Sequence, residues 1–503
     1  MRRSNLSYKT HLLRISVILC LLSSYFWIAP SQIHALSVGF QEYYVLGNEE
    51  HIWRTFDRIQ GQEGGSSIST NMCSVVALVA TADNQVVYYD HWEDGYEADL
   101  LNPTQGSTEV YGDGDTGNGG TGSDILVAGD IITLNSDQND STKNGYVSVN
   151  PRNPSDTRYD GGDRLITIGG PVDLAHAVWP YDQSYIGGAW EIYSLQAYQL
   201  AYSYRLPIGE DLYAYGGGDT GYFGDFQYVD LQLQALYDDT TVSIDNGTDT
   251  VNITLDKGQT YSSMGYIMSA PHADTLAITI NAGTTILSDK QTQVGLVTGS
   301  DGTFQTRLLI ILPDLVWGTE YIAPVPRGIS PIGGYGDREA EVYIFNPNDY
   351  DISVTAYDSS GTGTFSIASN AISSAVAYSQ PAVMNRYVPV DSAVRLVSGD
   401  PFGVIVVADT SHTAYDWGLS AIPVKYLTQD YYISWAPGSS NNPPTENGSP
   451  VWVTPLADDT TFYVDYGPVD GTVDLTFSLD TLEQGRIFDP DNDNTGMHVW
   501  ATG

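Results

Sequence analysis

Residues 236–245 read L-Y-D-D-T-T-V-S-I-D, and residues 456–465 read L-A-D-D-T-T-F-Y-V-D. The two stretches share the first leucine, the Asp-Asp-Thr-Thr run and the last aspartate. Weaker copies stand at residues 78–90 and 345–358. Each copy has an apolar run, a short turn containing Asp or Asn, and a second run in which apolar and polar residues alternate. The pattern predicts a repeated β-hairpin, and internal repetition of this kind is typical of tandem modules.

The repeats divide the chain into four related units. A Leu-Pro or Ile-Pro pair precedes an aromatic segment in the regions 206–213, 312–324 and 422–437, where one unit passes into the next. We predict a first unit with long insertions at residues 36–225, a second at 226–335, a third at 336–445 and a fourth at 446–503. The fourth lacks the partner strands that the other units have at the corresponding place, which predicts that the natural protein continues beyond Gly503.

The strand pattern indicates an all-β protein. Short β-branched and aromatic runs alternate with Gly, Asn, Asp and Pro, and helical periodicity is nearly absent. About six or seven strands in a unit of roughly 100–150 residues suit a β-sandwich, so we predict tandem β-sandwich-like modules. The same strands would also suit the four-stranded blades of a β-propeller, and the sequence leaves that alternative open.

The charge balance restricts the partners. Lys and Arg total 20 against 61 Asp and Glu, which gives a formal net charge of −41. Such a surface repels nucleic acid and anionic lipid and attracts cations, so we expect no nucleic-acid partner. Acidity that serves solubility alone is the simpler interpretation.

The N-terminus predicts export. Residues 1–35 have the features of a secretory signal peptide, with a basic start, an apolar core at residues 15–28 and a cleavage point after Ala35. The apolar core is shorter than the ~20 residues that a membrane-spanning helix needs, and no later run approaches that length. We therefore expect an extracellular or cell-surface protein with no membrane span in its mature chain. After cleavage Cys73 is the only cysteine, so no intramolecular disulfide can form.

Several framework motifs of the second unit resemble a known family. They are the D-D-T-T-V strand, D-K-G-Q-T-Y at 256–261, G-T-T-I-L-S-D-K-Q-T-Q-V at 283–294 and L-P-x-x-x-W-G-T-E-Y at 312–321. Over residues 228–325 this arrangement resembles the N-terminal domain of IgGFc-binding proteins, a family of mucin-associated and bacterial or fungal surface proteins. The resemblance implies an extracellular binding or adhesion role. It lies in framework positions, so it names no ligand and does not carry over Fc binding.

Two acidic loops are candidate cation sites. One contains Asp489, Asp491 and Asp493 at alternate positions, and the other contains Asp113 and Asp115 among glycines. Ca²⁺ takes about six to eight oxygen ligands, and alternate aspartates in a tight loop can face one ion. Calcium is therefore the predicted cofactor. Each loop is also a good polar turn without any ion, and that alternative stays open.

Residues 90–97 form the segment with the strongest functional character. Its candidate ligand-binding residues are Asp90, His91, Trp92, Glu93, Asp94, Tyr96 and Glu97. Aromatic faces stack on sugars or peptides, imidazole with carboxylates can hold a metal, and two carboxyl groups across a sugar bond are the machinery of a glycosidase. Because the segment directly follows a strand, we expect an exposed binding loop; a structural turn is the alternative. His176, in an apolar run, is predicted to be a hydrogen-bonded core residue.

Together these features favour an exported or cell-surface binding or adhesion protein that calcium makes rigid. Its partner would be an extracellular protein or glycan of unknown identity. The first alternative is a carbohydrate-active enzyme, or a carbohydrate-binding region, that uses residues 90–97. The second is a structural stalk or coat protein. The sequence contains no nucleophile elbow, phosphate-binding glycine loop or paired zinc motif, and we do not expect an enzyme.

Overall fold

A computed structural model describes most of the chain. It covers residues 40–61, 68, 71–136, 153–181, 186–197, 200–212, 226–299, 306–325, 340–369, 371–372, 392–408, 417–437, 450–490 and 493–503. The predicted signal peptide at residues 1–35 and the candidate ligand Asp491 lie outside the described residues. None of the helices in the described ranges is long and apolar enough to cross a membrane.

The first unit is a sandwich of two four-stranded antiparallel sheets with one α-helix against it. Its elements are β1 Gln41–Tyr44, α1 Glu49–Gly61, β2 Met72–Ala80, β3 Val86–Asp90, β4 Glu109–Tyr111, β5 Ile131–Ser136, β6 Arg164–Ile168, β7 Val172–Pro180 and β8 Gly188–Glu191. One sheet has the order β1-β6-β3-β4 and the other β5-β2-β7-β8. Apolar side chains from both sheets and from α1 form one shared core.

The second unit is built around one long strand. Its strands are β9 Ala201–Arg205, β10 Tyr228–Ala235, β11 Thr240–Asp245, β12 Thr250–Leu255, β13 Thr260–Ser262, β14 Tyr266–Ile267, β15 Thr285–Gly299 and β16 Thr306–Ile310. The first part of β15 pairs with β9 and β11, and its second part pairs with β10 and β16. All these pairs are antiparallel, and the sheet curls around an apolar core.

The third unit has the same kind of arrangement. Its strands are β17 Gly318–Val325, β18 Ala340–Asn346, β19 Ile352–Asp358, β20 Gly361–Ile367, β21 Ala371–Ile372, β22 Ser392–Ala408 and β23 Trp417–Ser420. The long strand β22 pairs with β17 and β19 through its first part and with β18 and β23 through its second. Its core lies mainly within the unit.

The fourth unit is smaller within the described ranges. Its strands are β24 Asp430–Tyr432, β25 Val451–Val453, β26 Thr460–Asp465, β27 Leu475–Leu479, β28 Gly485–Ile487 and β29 His498–Ala501. One sheet has the order β24-β29-β26-β27, and β25 pairs with β28 alone.

Short 3₁₀ turns at Asp274–Leu276, Asp314–Val316 and Val424–Tyr426 complete the described helices.

The predicted all-β, sandwich-like class is confirmed, and the described strands do not form the radial blades of a propeller.

Three strands join a sheet outside the residue range predicted for that unit. β9 belongs to the sheet of the second unit, β17 to that of the third and β24 to that of the fourth. The second, third and fourth units therefore each take their first strand from the segment predicted as the end of the unit before.

The two Asp-Asp-Thr-Thr stretches form the same turn. The second aspartate of each, Asp239 and Asp459, has a left-handed backbone with φ of 52° and 56°. The threonines that follow, Thr240 and Thr460, each donate a hydroxyl hydrogen bond to the carbonyl oxygen three residues earlier, at 2.6 and 2.8 Å. Short polar side chains tolerate this backbone region better than others, which explains the aspartate at this position.

Helix α1 is the element that the sequence prediction overlooked. The Asn48 side chain caps it by accepting a hydrogen bond from the His51 backbone N–H at 3.2 Å, as expected for an asparagine N-cap. Ile52, Phe56 and Ile59 recur at helical spacing and are fully buried. These signals are present in residues 48–59. The helix was missed because it is short and because strand patterns flank it on both sides.

Candidate functional site

Residues 90–93 do not form the exposed loop that was predicted. Asp90 and Trp92 have no exposed surface, and His91 and Glu93 are only 4% exposed. The prediction of exposure is wrong because the turn at residues 160–163 and the second unit both cover this segment. Strand pairing brings that turn close, since Asp90 at the end of β3 lies opposite Arg164 at the start of β6.

The second half of the segment holds its own loop together. The carboxylate of Glu97 accepts hydrogen bonds from the backbone N–H groups of Thr104 and Gln105. Asp94 accepts a hydrogen bond from the hydroxyl of Ser107. These contacts are internal to residues 90–107, so both carboxylates stabilise the loop.

The aromatic residues of the segment pack against other parts of the protein. The hydroxyl of Tyr96 donates to the carbonyl oxygen of Gly162, and the Trp92 ring packs against Met268 of the second unit. A side chain at Gly162, which has φ of 106°, would lie 2.9 Å from the Trp92 ring. Glycine is therefore required there, and the aromatic faces are not available for stacking on a ligand.

Four carboxylates and one imidazole meet beneath this segment. We call Glu49, His91, Glu93, Asp160 and Asp163 the acidic centre; all five are buried. Glu49 begins α1, His91 and Glu93 follow β3, and Asp160 and Asp163 precede β6. Ligand atoms of His91, Glu93 and Asp163 lie within 4.8 Å of one another. This spacing allows Glu93 and Asp163 to contact one calcium ion, which binds oxygen ligands at about 2.3–2.6 Å, and His91 could join them only on a transition metal.

Two carboxylates of the centre have many donors. Asp163 accepts hydrogen bonds from the Tyr89 hydroxyl at 2.5 Å and from the backbone N–H of Trp92 at 3.2 Å. Glu49 accepts from the Ser74 hydroxyl at 2.9 Å and from the Gly161 N–H at 3.2 Å. These donors hold the two side chains in place.

Glu93 differs from them. Neither of its carboxylate oxygens has a hydrogen-bond partner from another residue, although both are buried. Leaving a buried polar group without a partner costs about 1–3 kcal/mol, and more for a charged group. Glu93 therefore needs either a bound proton or a bound cation.

Burial and the short distances between the acidic groups shift the pKa values of the acidic centre. Burial, and then the negative charge of Asp163, raise the pKa of Glu93 to about 9. Burial, with Glu93 next in effect, raises the pKa of Asp160 well above its usual range. Burial opposes a charge on His91, but the hydrogen bond and charge of Asp163 outweigh it and raise the pKa to about 9. Without a cation, these shifts favour the protonated forms of Glu93, Asp160 and His91.

The donor set allows more than one cation. Calcium takes only oxygen ligands, and the carboxylates of the centre supply several. Imidazole suits zinc and other transition metals. His91 Nδ1 lies 2.5 Å from the carbonyl oxygen of Arg158, which can only accept, so Nδ1 is the donor. The same Nδ1 lies 3.6 Å from Asp163 Oδ2, so a transition metal would have to displace the Nδ1 proton or use Nε2, whereas calcium needs only the carboxylate oxygens.

His176 is the hydrogen-bonded core residue that was predicted. Its Nδ1 donates to the carbonyl oxygen of Leu46 at 2.8 Å, and its Nε2 lies 2.9 Å from both Glu49 Oε1 and Ser74 Oγ. Its role is to orient Glu49 at the edge of the acidic centre.

The two predicted calcium loops look different from this centre. Asp113 and Asp115 are exposed, and each accepts a backbone N–H two residues later, at 2.8 and 3.0 Å. In the other loop Asp489 is buried, while Asp493 is exposed and accepts the Thr495 N–H at 3.0 Å. Asp113, Asp115 and Asp493 act as turn-forming side chains, and calcium binding at both loops stays a prediction.

Sequence reasoning missed Glu49, Asp160 and Asp163. The signal for the last two was the run Asp160-Gly161-Gly162-Asp163, which directly precedes β6. Nothing near residue 49 pointed to residues 91 and 93. No protein-family model matches this chain, and no curated protein matches it significantly.

Proposed function

We propose that this chain is an exported binding or adhesion protein of tandem β modules, and that a divalent cation, calcium first, stabilises its first module at the acidic centre. The observation that carries the proposal is Glu93, a buried carboxylate with no partner from another residue beside His91 and Asp163. A cation placed there would satisfy Glu93 and offset the repulsion among Glu49, Asp160 and Asp163.

The predicted export of the protein is consistent with the proposed calcium site. Extracellular calcium modules bind with Kd of about 10⁻⁴–10⁻³ M, so such a site fills only where calcium is abundant, outside the cell. The resemblance of residues 228–325 to the N-terminal domain of IgGFc-binding proteins also favours a surface role. Tandem modules add reach and, with several weak contacts, avidity.

The cation is tested by unfolding the EDTA-stripped protein with and without metal. At a hundredfold excess over Kd, a ligand that binds only the folded state stabilises it by about 2.7 kcal/mol. We expect calcium to raise the unfolding temperature and Glu93→Gln to abolish that rise. Zinc and manganese are measured in parallel, and a rise with zinc alone would assign the centre to a transition metal.

A matched pair of variants separates the candidate sites. Asp113→Asn with Asp115→Asn removes two carboxylates of the glycine loop, and Asp489→Asn with Asp493→Asn removes two of the C-terminal loop. If the calcium effect survives Glu93→Gln but is lost in either double variant, the acidic centre is not the calcium site. If no metal changes the unfolding temperature, the centre holds protons only.

Binding is tested on an array of glycans, mucins and immunoglobulins, in calcium and again in EDTA. A saturable signal that is lost in EDTA and in Glu93→Gln supports a calcium-dependent adhesin. A signal that is independent of both would support adhesion but reject its dependence on the cation. The absence of any signal would favour the structural stalk.

A further inference from the structure

The acidic centre lies at the boundary between the first unit and the second. Two segments carry carboxylates into it, residues 91–93 and the turn at residues 160–163. Trp92 of the first segment packs against Met268 of the second unit, and a side chain at Gly162 of the turn would lie 2.7 Å from Met268 and 2.9 Å from Trp92. Met268 is buried. One side chain of the second unit therefore lies against both segments that hold the centre.

Tyr96 makes a second contact between the turn and the second unit. Its hydroxyl donates a hydrogen bond to the carbonyl oxygen of Gly162. A side chain at Gly258 of the second unit, which has φ of 79°, would overlap that hydroxyl. Glycine there allows the backbone of the second unit to approach Tyr96 closely, so the ring lies between the turn and the second unit.

The backbone that leads into α1 connects the same turn to the second unit. The carbonyl oxygen of Val45 accepts two hydrogen bonds of 2.9 Å, one from the Gly162 N–H and one from the side chain of Gln234. The carbonyl oxygen of Gly47 accepts the hydroxyl of Thr260 at 3.2 Å. Gln234 and Thr260 belong to the second unit, so a displacement of the turn would disturb contacts that the second unit makes.

Another part of the same boundary is apolar. Val297 and Leu308 of the second unit lie in the core of the first unit, and a side chain at Gly188 would lie 2.7 Å from Leu308. Such packing depends on buried apolar area and not on charge. The boundary thus has an apolar part, where β8 meets β16, and a polar part beside the acidic centre.

Repulsion within the acidic centre acts on the polar part. Glu93 faces the negative charge of Asp163, and Asp160 faces that of Glu93. Glu93 lies on one segment and the two aspartates lie on the other, so their repulsion pushes residues 91–93 and the turn apart. A cation between the segments attracts both of them, because opposite charges attract strongly where water is excluded.

We propose that the cation at the acidic centre fastens the polar part of this boundary: when bound, it holds residues 91–93 and the turn together against Met268, and its removal loosens the second unit there while the apolar part stays closed. This role rests on the proposed function, because it requires a cation at that centre. Calcium would then control how rigidly the first two units are joined, in addition to stabilising the first.

Hydrogen exchange of the full chain tests the contact, first after stripping with EDTA and then with calcium (or with zinc, if only zinc raises the unfolding temperature). We expect the metal to slow exchange at residues 257–268, which include β13 and β14, by at least about fivefold. Exchange in β16, on the apolar part, should not change, and Glu93→Gln should remove the metal effect. Equal slowing in β16 would mean that the metal stabilises both units as a whole, which would overturn the proposal.

A second test starts from the second unit. If the cation tightens the contact, a weaker contact must lower the affinity for the cation by the same factor. Met268→Ala weakens the contact and removes no carboxylate, so we expect it to raise the calcium Kd at least about fivefold in isothermal titration. Thr260→Val keeps the side-chain volume and removes one hydrogen bond, so a rise of about twofold to fivefold is expected.

Ile253→Ala is the matched control. It truncates a buried side chain on β12, in the core of the second unit, and should leave the calcium Kd unchanged. A rise in Kd with Ile253→Ala equal to that with Met268→Ala would show that any loss of stability weakens the site, which would overturn the proposal. Should Met268→Ala not fold, Thr260→Val decides.

The outcomes distinguish this role from the proposed function. If calcium binds and Glu93→Gln abolishes binding, but exchange at residues 257–268 is the same with and without calcium, the cation site stands and the fastening is wrong. The same holds if Met268→Ala and Thr260→Val bind calcium as tightly as the wild type. If neither calcium nor zinc binds, the cation site and the fastening are both wrong.

Discussion

At the scale of single residues, Asp230 and Glu93 are both buried carboxylates with very different surroundings. Asp230 accepts four side-chain hydrogen bonds, from Ser262 at 2.7 Å, Ser263 at 2.8 Å, Thr55 at 2.8 Å and Gln232 at 2.6 Å. Burial raises the pKa of Asp230, and these four hydrogen bonds oppose that rise; the same bonds tie α1 to β10 and β13. Glu93 has no such donors, which is why a cation is proposed for one carboxylate and not for the other.

The Asp230 network predicts a large mutational effect. Asp230→Ala would leave several buried donors without an acceptor and detach α1 from the second unit, so we expect a loss of about 2–4 kcal/mol in the free energy of unfolding. The measurement is denaturant unfolding, with Asp274→Ala, at a fully exposed side chain, as the control. A loss no greater than that of the control would show that the network contributes nothing to stability.

The buried His51 predicts that the free energy of unfolding depends on pH. Burial, and then the positive charge of Arg54, lower its pKa from 6.5 to about 3, so the folded protein holds the neutral imidazole. A group whose pKa is lower in the folded state contributes stability that is complete above its unfolded pKa of about 6.5 and is lost as the pH falls toward 3.

The His51 effect is isolated by comparison with His51→Gln. Buried acids with raised pKa, such as Asp90 at about 7, act in the opposite direction, so the total stability of one protein does not report on His51. We expect the stability difference between wild type and variant to shrink as urea unfolding is moved from pH 7.5 to pH 4.5. A constant difference would mean that His51 titrates normally.

At the scale of elements, local pattern predicted strands well and the helix badly. Alternation at β11 and β12 is regular, with every second residue buried, and such alternation is visible in sequence because one face meets the core. Helix α1 has only three fully buried apolar residues in thirteen. Its stability comes from packing on two sheets, which is not a local property.

The left-handed backbone of the two turn aspartates predicts which substitutions there destabilise the protein most. Asp239 and Asp459 have φ of 52° and 56°, a region that costs a residue with a β-carbon about 1–2 kcal/mol and is worst for β-branched side chains. We expect valine to destabilise the protein by about 1–2 kcal/mol at either position and glycine to change stability by less than about 0.5 kcal/mol. Thermal unfolding of the four variants provides the measurement, and valine as stable as glycine would contradict the assigned geometry.

At the scale of the whole molecule, the site illustrates what sequence reasoning can reach. Residues 91 and 93 were identified because aromatic and acidic residues cluster there. Glu49 and Asp163 were not, because they meet Glu93 only through α1 and through the β3–β6 pairing, which joins residues about 75 positions apart. The same long-range contacts bury the segment, so both the missed residues and the wrong prediction of exposure have one cause.

The units are joined through their cores as well as through the chain. Tyr343, Ile405 and Val407 belong to the third unit, yet they lie in the apolar core of the second with Leu309 and Ile311. Packing at this junction is tight: a side chain at Gly418 would lie 2.7 Å from Leu309. A core shared between two sheets predicts that they lose structure together.

This coupling is tested with two truncations in the third unit. Ile405→Ala removes a side chain from the shared core, and Val354→Ala removes one from the core within the unit. Truncations of this kind cost about 1–5 kcal/mol where the cavity stays open. In hydrogen exchange, we expect Ile405→Ala to speed exchange in β10 and β16 as well as in β18, and Val354→Ala to act mainly on β18 and β19. If Ile405→Ala leaves β10 and β16 unchanged, the second unit is stable on its own and the junction transmits no free energy between units.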